Sequence, residues 1–170
     1  TGLTNILIFF LQESLNWTTK ASSGTLVVVG IIAIIVQGGL IGPLVKQFGE
    51  MRLTLIGSGF ILVACSLLIT TPKENATFNI YSAVSFLAVG AGLITPTLRA
   101  LISKKLDVDK QGSILSNLQG LQSLGGVLGI AMAGRVYDSF GPKSPFIAGS
   151  VILIFMIYLI AEGKNNNSFN

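Results

Sequence analysis

Gln37-Gly38-Gly39-Leu40-Ile41-Gly42-Pro43-Leu44-Val45-Lys46-Gln47-Phe48-Gly49-Glu50-Met51-Arg52 is a small charged island between two long apolar runs. No charge interrupts residues 21–45 on its near side, and none interrupts 53–72 on its far side. Either run supplies the roughly 20 apolar residues that a bilayer-spanning helix needs. The island is therefore expected to be a water-exposed tight hairpin between two membrane helices. Gly49 can take the positive φ that such a turn requires. Gly38 and Gly42, four apart, share one helical face on which another backbone can approach closely.

Working outward, the same pattern repeats. Uncharged runs cover 1–12, 21–45, 53–72, 75–98, 111–134 and 144–161. Hydrophobic residues make up 51% of the 170 and charged residues 11%, where a soluble domain carries about 25%. The runs are continuous, whereas the strands of an outer-membrane barrel would alternate with period two. The expected fold is all-α, a polytopic membrane bundle of six transmembrane helices. Residues 1–162 form the helical part and 163–170 a polar tail expected to be disordered. Thr1 is not an initiator methionine and the first run is short, so the chain is expected to begin partway through a helix.

The net charge of +4 follows from loop composition and implies no nucleic-acid partner. Taking connections alternately, one side holds Lys46, Arg52, Arg99, Lys104, Lys105, Lys110 and Lys164, and the other Lys20, Lys73, Arg135 and Lys143. The excess of Lys and Arg marks the first side as cytoplasmic. The single cysteine, Cys65, excludes a disulfide framework. With no histidine, metal and imidazole chemistry lack their usual residues. No nucleophile–base pair and no phosphate loop is present, so neither enzymatic activity nor a cofactor is expected.

The segments differ in what they offer. The first, 3–15, carries Asn5 among large apolar side chains, where it reaches either a neighbouring helix or a substrate. The third, 53–71, looks lipid-facing. The fourth, 78–103, places Ala88, Gly92, Pro96 and Ala100 at four-residue intervals, a stripe for close helix packing. Pro96 should kink it, leaving Thr95 and Thr97 to cover the freed carbonyl. Arg99 sits one turn later as an anchor at the membrane surface. A mixed-charge connection, 103–112, leads to the fifth segment.

That fifth segment, 111–136, is the least apolar. At about 100° per residue, Ser113, Ser116, Asn117, Gly120 and Ser123 share one side, while Gln119, Gln122, Gly126, Gly129 and Ala133 share the other. Neither side suits lipid, so the helix should border protein or a water-filled cavity. The sixth, 145–161, is apolar throughout and fits the lipid-exposed periphery. No segment carries a carboxylate at bilayer depth, so a group titrating for proton coupling would have to come from elsewhere.

Residues 37–52 resemble the loop between helices eight and nine of major facilitator superfamily carriers, with a Gly-rich start, basic residues and a Gly-Glu-x-Arg ending. Gly90-Ala91-Gly92-Leu93-Ile94-Thr95-Pro96-Thr97-Leu98 resembles helix ten. Gln111-Gly112-Ser113 and Leu121-Gln122-Ser123-Leu124-Gly125 resemble helix eleven. Tyr137-Asp138-Ser139-Phe140-Gly141-Pro142-Lys143-Ser144-Pro145-Phe146 resembles the turn into helix twelve. Tetracycline-efflux-like drug:proton antiporters are the most similar group. The chain departs from it in Pro43 and Gln47, where basic residues are usual, and in Ile130, where proline is frequent.

The resemblance implies the C-terminal six-helix half of a secondary active transporter in the cell membrane, partnered by a missing N-terminal half and exporting small hydrophobic or amphipathic molecules against proton entry. Asn5, Asn117, Gln119 and Gln122 are then the substrate-pathway candidates. Gln37, Gly42, Lys46, Gly49 and Arg52 would hold the cytoplasmic gate. An uptake symporter of the same fold, and a non-transporting membrane scaffold or truncated product, stay open as alternatives.

Overall fold

The computed structural model describes residues 19–71, 76–104 and 108–165. Helix α1 (Thr19–Ile35) runs through a π turn (Val36–Leu40) into α2 (Ile41–Phe48), and α3 (Glu50–Thr70), α4 (Ala76–Lys104), α5 (Val108–Phe140) and α6 (Ser144–Asn165) follow. Among the described residues four stretches are long and apolar enough to cross a bilayer: Ser23–Phe48, Glu50–Thr70, Thr77–Lys104 and Ser144–Glu162. The first expected span, with Asn5, lies outside the described residues. The fifth is α5, whose 33 residues form the longest described helix but are too polar to qualify. The all-helical bundle is observed, and of the six expected spans four are long and apolar enough among the described residues.

The charged island is not a loop. Residues 37–48 are helical, and the chain reverses at Gly49 alone, with φ 76° and ψ 159°. This backbone region is essentially restricted to glycine. The Gly49 N–H donates to the Val45 carbonyl at 2.9 Å and closes α2. Pro43 removes one N–H from the ladder, and the π turn immediately before it is the local adjustment by which the helix continues through the island. A second turn of the same kind stands at Gly141, φ 90°, between α5 and α6. There Ser144 Oγ donates to the Val136 and Gly141 carbonyls at 2.8 and 2.6 Å, tying the two helices together.

The centre of the bundle is the α3–α4 pair. A methyl at Gly90 would stand 2.6 Å from the Gly57 carbonyl oxygen, and one at Gly57 would stand 3.0 Å from the Gly90 oxygen. The two backbones cross here with no room for a side chain. Below the crossing Thr54 Oγ1 and Thr97 Oγ1 lie 3.0 Å apart, fully buried, and each also reaches a carbonyl one turn back, Glu50 O and Leu93 O. Above it Ile61, Ala64, Cys65 and Leu68 of α3 pack on Ile80, Ala83, Val84 and Leu87 of α4, and Phe146 of α6 closes the cluster. Helix α1 leans on α4 at two points. Methyls at Gly24 and Gly92 would stand 3.0 Å from Tyr81 Oη and 3.1 Å from Val36 Cγ1.

Several expectations are corrected. The third segment, α3, is not lipid-facing: buried residues make up 44% of its most apolar stretch, equal to α4, against 11% in α1 and in α6. Its Thr54, Gly57 and Ser58 are small and polar enough to let α4 approach and bond. Gly38 and Gly42 meet nothing within 4 Å and mark no close approach, because the helix contacts of α1 fall on its Val36 face instead. Helix α6 continues to Asn165, past its last apolar residue, Ala161. The mixed-charge connection is shorter than expected. Helix α4 extends to Lys104, α5 starts at Val108, and Gln111 Nε2 donates back to the Ser103 carbonyl at 3.1 Å.

Candidate transport pathway and gate

Asn117, Gln119 and Gln122 stand on the N-terminal half of α5 and all three are exposed. Helix α5 makes little contact with the α3–α4 core and touches α6 mainly near the Gly141 turn. Its polar groups are therefore left uncovered by the rest of the described chain. Ser123 shows the same habit, its hydroxyl turned back onto the Gln119 carbonyl at 3.0 Å for want of another partner. Further along, the small-residue flank does have a neighbour: Gly126, Gly129 and Ala133 line an apolar cavity of about 320 Å³ whose opposite wall is Ala148, Gly149 and Ile152 of α6. The flank assigned to one side by periodicity thus serves two purposes, facing α6 at its far end and standing open around Gln119 and Gln122. Asn5 lies outside the described residues.

The gate candidates separate into two groups. Lys46 in the last turn of α2, Gly49 at the reversal and Arg52 in the first turn of α3 gather at one end of the bundle. Gln37 and Gly42 do not join them: Gln37 lies in the π turn, exposed, and Gly42 is an exposed position early in α2. At the gathered end Lys104, the last residue of α4, makes an ion pair with Glu50, which is well shielded while Lys104 is largely exposed. It is the one ion pair among the described residues, so Lys46, Arg52 and Arg99 have no acid partner there. Sequence reasoning placed Glu50 and Lys104 on the same side of the membrane but did not pair them. The lone acid of the island was the available signal.

Pro96 lies within α4, which stays helical from Ala76 to Lys104. Thr97 donates to the Leu93 carbonyl at 2.7 Å and approaches the Ile94 carbonyl at 3.0 Å. Its hydroxyl thus supplies polar contacts in the turn that Pro96 weakens. Thr95 is exposed.

An all-helical arrangement of apolar spans and short reversals, with one helix whose polar side chains stand uncovered, is that of a multi-pass membrane protein. The chain belongs to the Major Facilitator Superfamily, whose family model matches residues 1–130. It is 27% identical over 133 residues to the class H tetracycline resistance protein of Pasteurella multocida, covering 78% of this chain and 32% of that protein. It is 26% identical over 130 residues to the class C tetracycline resistance protein of Escherichia coli, covering 76% and 32%. A quinolone resistance protein of Staphylococcus aureus is 23% identical over 172 residues, covering 94% of this chain and 37% of the relative. The chain spans about a third of the length of these curated relatives. No solved structure matches it.

Proposed function

We propose that this chain is the C-terminal half of a twelve-helix secondary transporter that exports small hydrophobic or amphipathic compounds in exchange for protons. The observation that carries the reading is α5: in a chain of apolar spans, one helix of 33 residues presents Asn117, Gln119 and Gln122 with nothing in the described chain to cover them. Such groups at bilayer depth belong beside a water-filled path or a second bundle. Similarity to tetracycline and quinolone resistance proteins supports export and this class of cargo.

In the mechanism, two six-helix halves rock about a site near the membrane midplane and expose it alternately to each face. The α5 amides, with Asn5, donate to and accept from the cargo. The basic end, where Lys46, Gly49 and Arg52 follow one another, closes the cytoplasmic mouth, and Pro96 gives α4 a weak point about which to bend. The proton-carrying acid comes from the N-terminal half.

The test is flux in proteoliposomes holding the complete protein, with and without a pH gradient. Tetracycline and a quinolone serve as probe cargoes. Gradient-dependent export is expected. Gln122→Leu should reduce it several-fold at unchanged protein stability, as loss of one or two hydrogen bonds worth about 0.5–1.5 kcal/mol each predicts. Flux indifferent to the gradient, or uptake in place of export, overturns the antiporter reading.

A further inference from the structure

A second feature of the fold lies away from α5, on the side where α1 and α2 meet α3. An apolar groove of about 310 Å³ runs there, walled by Leu40, Leu44 and Phe48 on one side and Ile56 and Phe60 on the other, with Leu93 of α4 in its floor. The volume is at the lower end of the roughly 300–1,000 Å³ typical of ligand pockets. It opens outward: Leu40, Phe48 and Ile56 are each exposed by 40% or more at the rim. A second cavity, of about 440 Å³ and lined by Phe78, Tyr81 and Phe86, shares Phe60 and Val89 with the first as walls. Phe60 and Phe86 are stacked between them, with ring centroids 5.8 Å apart.

Among the described residues the mouth of the groove carries one unpaired cation. Arg52 stands one turn before Ile56 on the same stripe of α3, is exposed and has no ion-pair partner among the described residues. Lys46, near the end of α2, is exposed but stands on the face opposite Leu44 and Phe48 and so away from the groove. The acid between them, Glu50, is already engaged by Lys104. An apolar groove within the spanning helices, ending at a cation with no ion-pair partner among the described residues, has the polarity of a phospholipid: chain in the groove, phosphate at the basic end. With Glu50 engaged by Lys104, Arg52 meets no acid among the described residues, which favours a headgroup with net negative charge.

We propose that this groove is a binding site for one anionic phospholipid, its acyl chain between Leu40 and Ile56 and its phosphate on Arg52. The site is independent of the substrate pathway on α5. Substrate in the groove, or a second copy of the chain, would fill the apolar part but would not discriminate between lipid headgroups.

Native mass spectrometry of the complete protein, extracted from vesicles of equal phosphatidylglycerol and phosphatidylcholine, reads the site directly. Wild-type protein is expected to retain phosphatidylglycerol several-fold over phosphatidylcholine. Arg52→Gln should lower that ratio about fivefold, the factor one basic residue contributes at an anionic surface. Ile56→Trp, at the exposed rim, should fill the groove and reduce retention of both lipids. Lys143→Gln, at the opposite end, should leave ratio and retention as in wild type. Equal retention of the two lipids by wild-type protein, a ratio unmoved by Arg52→Gln, retention unmoved by Ile56→Trp, or an equal loss in Lys143→Gln would each overturn the proposal.

Discussion

The α3–α4 seam and helix α5 are both rich in glycine and small polar residues, and they stand in opposite situations. At the seam Gly57 and Gly90 bring two backbones into contact, and Thr54 and Thr97 join hydroxyls in the buried space beside them. On α5 a methyl at Gly112, Gly120, Gly125, Gly129 or Gly134 would meet nothing within 4 Å, and Asn117, Gln119 and Gln122 are exposed. Without a hydrophobic force between helices in lipid, small residues permit close packing but do not compel it. A shared composition therefore yields a rigid seam in one place and an uncovered surface in another.

The largest expected effect separates the two regions outright. Gly90→Ala puts a methyl against backbone that no side-chain rotation can relieve, and should cost about 1–3 kcal/mol or more by overpacking. Gly120→Ala on α5 should leave stability unchanged or slightly raised. Thermal unfolding in detergent compares them, and equal melting temperatures would erase the distinction. Next, Gly49→Ala forces a side chain into a region essentially reserved for glycine and should cost about 1–3 kcal/mol in the same assay, with the damage confined to the α2–α3 reversal in hydrogen exchange. Thr97→Val sharpens the account of the seam. It removes one bond between helices, worth roughly 0.6 kcal/mol on average in a membrane bundle, and leaves Thr54 bonded to the Glu50 carbonyl, so the melting temperature should fall only slightly. Smallest of all is Glu50→Gln, whose partner Lys104 is largely exposed, so stability should change by less than about 1 kcal/mol. A larger drop would show that the ion pair, and not the seam, fastens the basic end.

Much of the architecture was legible in the order of residues, for a physical reason. Helices that cross lipid must be long, apolar and internally bonded, so uninterrupted runs located α1, α3, α4 and α6, and Gly49 between charged residues marked the reversal. What a helix faces was not legible. Leu, Ile and Val suit lipid and protein neighbours alike, which is why α3 reads as peripheral while eight of its residues, from Leu53 to Leu68, are buried. The same limit applies to glycines: Gly38 and Gly42 have helical spacing yet touch nothing, whereas Gly57 and Gly90, far apart in the chain, meet. At the candidate site the polarity of α5 singled out Asn117, Gln119 and Gln122 from their residue types alone. The Glu50–Lys104 pair needed the tertiary arrangement, since many cations on that side were possible partners.

The π turn at Val36–Leu40, in which the Ile41 N–H bonds to the Val36 carbonyl, amounts to one surplus residue wound into an otherwise continuous rod. Were a residue such as Gly38 deleted, the rod would heal into ordinary α-helix and the stretch downstream would keep nearly its present bearing, because a π turn takes up an extra residue locally. The same residue added to plain α-helix would instead swivel everything after it by about 100°. The turn thus acts as a take-up of slack that keeps Leu44 and Phe48 in step with α1 despite the added length.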